Sequence, residues 1–214
     1  SPGIPIIKYL LDNKTYSKIQ IGFGEINYCV DNFRFPPQHP QKGIVYACPD
    51  YESDFYIPLS NFHIYTLQLK QSAFVEMCAH LGAKEVFLIE ERHNGEEIDV
   101  NTDLDDIPTK SGNVSASAKA KYSSSNYYSG KLSYSFSKPK KFNVVPYDSK
   151  WIESEPTWRT LQNLRLNNNI EEFNAELNYK DEMGINTDLS AKINKLGLNI
   201  GGEFNEFKKV ERTY

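Results

Sequence analysis

The sequence predicts an α+β domain: a mixed, largely antiparallel β-sheet with long amphipathic hairpins, one long helix and a short second helix. Three observations carry this. Residues 113–137, NVSASAKAKYSSSNYYSGKLSYSFS, alternate small, aliphatic or aromatic side chains with Ser, Lys or Asn, the two-residue period of a strand with one wet face. Residues 171–204 carry the same alternation. Between 60 and 81 the apolar residues recur instead at the three- and four-residue spacings of a helix.

The 214 residues suffice for one core-forming domain. The sequence divides that single domain, 1–214, into an irregular β-rich part (1–57), a long helix with a hairpin (58–112), and two amphipathic hairpin regions around a short helix (113–214). In the first part KIQIGFGEI and GIVYACPD read as strands, and the prolines of FPPQHPQ exclude regular structure between them. The long helix begins near Ser60, which is placed to cap it, after Pro58. Ile64, Leu67, Phe74, Cys78 and Leu81 form its apolar stripe, and Gly82 is suited to end it. Residues 85–92 are apolar on both faces through Val86, Phe87, Leu88 and Ile89, which predicts a covered strand. Asn94-Gly95 is the best pair for a two-residue hairpin turn, with the return over 97–100.

In the third part Val114, Ala116, Ala118, Ala120 and Tyr122 share one parity. With a turn over 123–127, Ala118 faces Leu132, Ala116 faces Tyr134 and Val114 faces Phe136, small against large. Ser115, Ser117, Lys119, Lys121, Ser133 and Ser135 take the opposite face. The short helix has Ser154 or Glu155 as its cap, Pro156 in its first turn, and Trp158, Leu161, Leu164 and Arg165 along it. Phe173, Ala175, Leu177 and Tyr179 then alternate with polar residues. The apolar parity continues through Ile185, Leu189, Ala191 and Ile193, flips at Asn194-Lys195, and resumes at Leu196, Leu198 and Ile200. Such a flip suits a two-residue hairpin turn, with Ile193 facing Leu196 and Leu189 facing Ile200. A helix through Ile185, Leu189, Ile193 and Leu196 fits the same letters; Gly197, Gly201 and Gly202 favour strands. KKVERTY, 208–214, reads as a further strand.

Composition excludes several functions. The net charge is −4, so no broad basic footprint for duplex nucleic acid exists and no nucleic-acid partner is expected. No window reaches the ~18 consecutive apolar residues of a membrane-spanning helix. SPGIP lacks a secretory signal; Ser1 is not methionine, so a leader removed earlier stays open. Cys29, Cys48 and Cys78 have no metal-type spacing and an odd count, which points to reduced thiols in a cytoplasmic protein.

No catalytic grouping has useful spacing, and no enzyme activity, cofactor or metal is expected. His39, His63, His80 and His93 are scattered, the glycines of IGFGEI and NIGGEF miss the phosphate-loop spacing, and Cys78 reads as a small core residue. Asp99, Asn101, Asp103 and Asp105 alternate like half a calcium loop. Leu104 stands where that loop needs glycine and Lys110 where it needs a carboxylate, so an exposed acidic turn is the reading.

A tilted strand of about nine to eleven residues with strict alternation is long enough to cross a bilayer. Two such units around a helical spacer resemble the pore-forming half of gasdermins, and more loosely the perforin-type pore formers. MGINTDLSAKINKLGLNIGGEFNEF has the small-residue-rich texture of a gasdermin insertion hairpin. The resemblance covers roughly half the chain. It implies a membrane-permeabilising toxin or immune effector, soluble and cytoplasmic before it self-associates at the membrane, with a regulatory or inhibitory protein partner. Membrane insertion then falls to Val114, Ala116, Ala118, Leu132, Tyr134, Phe136, Ile185, Leu189, Ile193 and Leu198. Anionic membrane lipids fall to Lys119, Lys121, Lys138, Lys140 and Lys141, at about 1 kcal/mol per basic residue. The alternative is a soluble protein–protein interaction or sensing domain of a larger bacterial-type protein without enzymatic activity, since alternation needs only one wet face.

Overall fold

The computed structural model describes residues 4–8, 20–93, 96–98, 133–136, 145–204, 207 and 209–214. They form an α+β fold of helices and mostly antiparallel sheets. Two compact units divide it, Ser1–Thr66 with Asp181–Phe207, and Leu67–Lys180 with Lys208–Tyr214.

The first unit contains the sheet β2-β1-β3-β4, formed by β1 (Ile4–Lys8), β2 (Gln20–Gly24), β3 (Tyr46–Ala47) and β4 (Ile57–Pro58). β1 and β2 pair antiparallel from Ile4↔Gly24 to Lys8↔Gln20, while β1 meets β3 in parallel at Ile6↔Tyr46. Of the two or three strands expected in the first fifty residues, β2 and β3 lie in the two runs read as strands, and β1 lies before them. A seven-residue helix, α1 (Ile26–Asn32), follows β2 and was not anticipated. It places Cys29 in a small core with Ile44 and Tyr46, and Phe33, Phe35 and Tyr56 pack against that core.

The predicted hairpin over 185–200 is corrected. Residues Thr187–Lys195 form a helix, α5, which follows two helices of the second unit in the chain, Lys150–Glu153 (α3) and Pro156–Asn168 (α4), and Asn186 Oδ1 accepts from Leu189 N at 2.9 Å as its cap. Leu189 and Ile193 are buried, and Ala191, which the strand reading placed on the same face, is exposed. A spacing of four residues satisfies a two-residue period and a helical turn alike, so the letters alone did not separate them. The local cap and Lys192 and Lys195 in the last turn favour the helix. Ile185 is buried just before it, and Leu196 is 67% exposed. Leu198 is half-buried; Asn199 and Ile200 run beside 43–45 and Ser60, through Val45 N–Asn199 O (2.8 Å) and Ser60 N–Ile200 O (2.9 Å).

Gly201 closes this contact at φ +89°, and a Cβ there would stand 3.0 Å from Pro58 Cβ and 3.2 Å from Ile44 Cγ2. Gly201→Ala is therefore expected to cost about 1–3 kcal/mol from backbone strain and overpacking. A urea midpoint equal to that of the wild type would exclude this.

In the second unit the main sheet has the order β7-β6-β10-β9, from β6 (Glu90–His93), β7 (Glu96–Ile98), β9 (Glu176–Lys180) and β10 (Lys209–Thr213), all antiparallel. The strands read at 173–179 and 208–214 are thus partners. The predicted hairpin at Asn94-Gly95 is seen in the pairing His93↔Glu96, although the turn residues and 99–100 lie outside the described residues. The single covered strand expected over 85–92 is corrected. It is split into β5 (Glu85–Phe87), which pairs β8 (Ser133–Ser135), and β6. Val86 and Leu88 are buried, then Glu91, while Phe87 is 46% exposed. Ile89 N donates to Thr213 O (2.7 Å) although Thr213 is the register partner of Glu90. Two residues oppose one, a bulge that switches the buried parity.

Helix α2 (Phe62–His80) matches the long helix predicted, and its first turn belongs to the first unit. Its exposed residues, Gln68, Ser72 and Glu76, fall on one line four apart. The expected cap at Ser60 is corrected. Ser60 lies within the 3-10 turn Leu59–Asn61, inside the helical run, where a cap needs extended backbone. Its hydroxyl is buried with no partner among the described residues. Two further helices are α3 (Lys150–Glu153), which was not anticipated, and α4 (Pro156–Asn168). α4 is the short helix predicted, with Pro156 in its first turn. Glu155 stands at the cap position but its side chain makes no cap bond, and Leu164 faces outward.

Candidate functional site

In the second unit, Val210, Arg212 and Tyr214 share the inward parity of β10. Arg212 is 2% exposed and Glu91, across the sheet on β6, is 0% exposed. Arg212 Nε donates to Glu91 Oε2 at 2.8 Å, and its Nη1 donates to Gln71 Oε1 of α2. Tyr214 donates to the same oxygen (2.8 Å), Gln71 Nε2 donates to the Tyr134 hydroxyl (3.1 Å), and His93 Nε2 meets Glu91 Oε1. One network thus ties α2, β6, β8 and β10. Burying a charge pair is costly unless its hydrogen-bonding capacity is filled, and these partners supply that. Burial pushes the Tyr214 phenol well above its ordinary range, so it remains a donor.

The outer edge of β9 is also occupied. Ala175 and Tyr214 exchange both backbone bonds at 2.9 Å, so odd residues of β9 turn towards β10 and even ones turn outward. Trp158 Nε1 donates to Glu176 O (2.8 Å), and Lys70 Nζ donates to Asn178 O (2.6 Å) and pairs with Glu155. These side chains cover the strand edge that would otherwise recruit another chain.

Tyr214 also lines a groove of about 770 Å³. Phe74 and Cys78 of α2 and Leu81 just after it share this lining with Phe87, Ile89, Ile170 and Phe173. Arg165 of α4 also lines it and donates to Leu81 O (3.2 Å), Ile170 O (2.8 Å) and Asn169 Oδ1 (3.0 Å). Burial pushes the Cys78 thiol up to about 12, so it stays protonated and acts as an apolar part of the lining. The volume lies in the range of ligand-binding clefts.

The first unit holds its own polar contacts. Tyr46 is buried, and its hydroxyl accepts from Gln41 N (2.8 Å) and meets His39 Nδ1 (2.6 Å). Cys48 Sγ lies 2.9 Å from Glu52 O, and burial pushes its thiol up to about 12. His63 is 4% exposed; its Nε2 donates to Ile185 O (2.6 Å) and its ring stacks on Phe207 (5.1 Å, 27°). Burial lowers its pKa, against the opposing pull of the Ile185 carbonyl and Asp181. With the folded pKa below the unfolded value of about 6.5, stability from His63 is complete above that pH and declines as the pH falls through it. The urea midpoint is expected to drop between pH 7.5 and 5.5, and His63→Gln to flatten that drop. A drop of equal size in the variant would assign it elsewhere.

Of the predicted insertion residues, Tyr134 and Phe136 are half-buried at β8, where Tyr134 faces Val86. Ile185, Leu189, Ile193 and Leu198 lie in the first unit, on or beside α5. Val114, Ala116, Ala118 and Leu132, the lipid candidates Lys119, Lys121, Lys138, Lys140 and Lys141, and the acidic run from Asp99 lie outside the described residues. Sequence reasoning missed Glu91, Arg212 and Gln71. Arg212 did leave a signal, a charge on the apolar parity between Val210 and Tyr214. Among the described residues no cluster suited to a metal occurs, and no helix is long and apolar enough to cross a membrane. Compared with protein-family models, curated proteins and solved structures, the chain has no significant match in any of the three.

Proposed function

We propose that this chain is a protein-interaction domain without enzymatic activity, and that it engages its partner at the groove lined by Phe87, Ile170 and Phe173. The observation that carries this is a groove lined by Phe74, Leu81, Ile170 and Phe173 with Phe87 exposed beside them. Nearby reactive groups are committed to structure: the Cys78 thiol is protonated, and Arg165 is bonded to Leu81 O and Ile170 O. The membrane-permeabilising reading rests on the 113–137 ribbon with its lysines, since the second expected hairpin is replaced by α5.

A photoreactive side chain at position 87 is expected to give a discrete protein adduct in the native cellular background. The same group at position 76, on the exposed line of α2, is expected to give none. Dye release from anionic liposomes at micromolar protein, before or after limited proteolysis, would replace this reading with the membrane one.

A further inference from the structure

We infer that the protein associates with a second copy of itself through the edge of β2, the two β2 strands pairing antiparallel about a two-fold axis at Gly22. The surface lies in the first unit, and none of its residues lines the groove.

Among the described residues β2 is the outermost strand of its sheet, bonded on one side to β1. The ladder from Ile4↔Gly24 to Lys8↔Gln20 alternates bonded and non-bonded pairs. Pro5 has no N–H to exchange with Phe23, so Pro5↔Phe23 falls in the non-bonded set. Ile7↔Ile21 shares its parity. Ile21 and Phe23 therefore turn their N–H and C=O groups away from β1, towards the outer edge. Gln20, Gly22 and Gly24 turn theirs to β1.

Strand edges are ordinarily guarded by charge, proline or a covering side chain. Gln20–Gly24, QIGFG, contains no charged residue and no proline. By contrast, Lys70 and Trp158 cover the edge of β9. Phe23 is 64% exposed, and Tyr28 and Val30 of the following helix α1 are exposed as well.

The strand is complementary to itself. Only outward-turned residues can bond across the edge, and an axis on Gly22 matches Ile21 with Phe23 of the second copy. Each such pair then exchanges both its bonds. On the axis Gly22 faces Gly22 of the second copy at the close, non-bonded spacing, where no side chains collide. No like charges meet within this register, and the two-fold contact closes on itself. These features select a second copy as the occupant.

The test uses the whole chain. Sedimentation velocity over a concentration series is expected to show a monomer–dimer equilibrium. Amide exchange at Ile21 and Phe23 is expected to slow as dimer forms, while Gly22 and Gly24, already bonded to β1, stay unchanged. Phe23→Lys puts a charge on the edge and keeps the backbone. It is expected to weaken dimerisation by about tenfold or more, with the wild-type circular dichroism spectrum retained. Gly22→Cys probes the register without depending on a loss. Facing Cα atoms of a non-bonded pair lie about 4.5 Å apart, within disulfide reach, so mild oxidation is expected to link two copies. Gln20→Cys, away from the axis, is expected to link no more than the wild type. A monomer at every concentration, a dimer with unchanged exchange at Ile21 and Phe23, or equal dimerisation of Phe23→Lys would overturn the inference. Equal cross-linking of the two cysteine variants would do the same.

Discussion

Arg212→Met is expected to lower the unfolding free energy by about 3–5 kcal/mol. Arg212 and Glu91 are both sealed from solvent and 2.8 Å apart. Removing the guanidinium leaves a carboxylate in the core without its cation. The loss also takes one donor from Gln71 Oε1, but Tyr214 still donates there, so Gln71 is not orphaned. Replacing both charges, Glu91→Leu with Arg212→Met, is expected to recover most of the loss, because two apolar groups need no desolvation. Urea denaturation of the wild type, both single variants and the double variant gives the coupling directly. Additive losses would show that the two charges act separately, and a loss below about 1 kcal/mol would place Arg212 in the range of solvated pairs.

Trp158→Ala is expected to cost about 3–5 kcal/mol. The indole is 0% exposed, tilted against Phe74 with 5.1 Å between ring centres, and under Lys70 Nζ at 5.7 Å. Its removal opens a cavity and strips Glu176 O of its donor. Trp158→Phe separates these effects: the ring is retained and the donor is lost, for about 1–3 kcal/mol. Both variants also uncover the outer edge of β9, so sedimentation velocity is expected to show species larger than any of the wild type. A variant that loses stability and forms no such species would show that Lys70 at Asn178 O protects the edge unaided.

The groove was invisible in the letters because it is made by three distant segments, 74–89, 165–174 and Tyr214. The buried network was nearly invisible for a related reason. Glu91 sits in a run whose buried parity changes at the Ile89–Glu90 bulge, so the alternation before the bulge does not show which face it takes. Long elements with consistent periods were legible: α2, α4, the β6–β7 hairpin, and the strands β9 and β10.

By itself the sequence determined the α+β class, the helix over 62–80, the proline-started helix at 156 and the alternation that makes 175–179 a half-buried strand. Each is set by neighbours within a few residues, where side-chain period and caps act on the local backbone. Tertiary structure joined the local cap in deciding that 187–195 is a helix, and it alone decided that 198–200 lies beside 43–45. It also put an arginine and a glutamate together in the core. In the helix the four-residue spacing fits two backbone geometries, and in the others the partner lies tens of residues away; burial against the rest of the chain makes the choice.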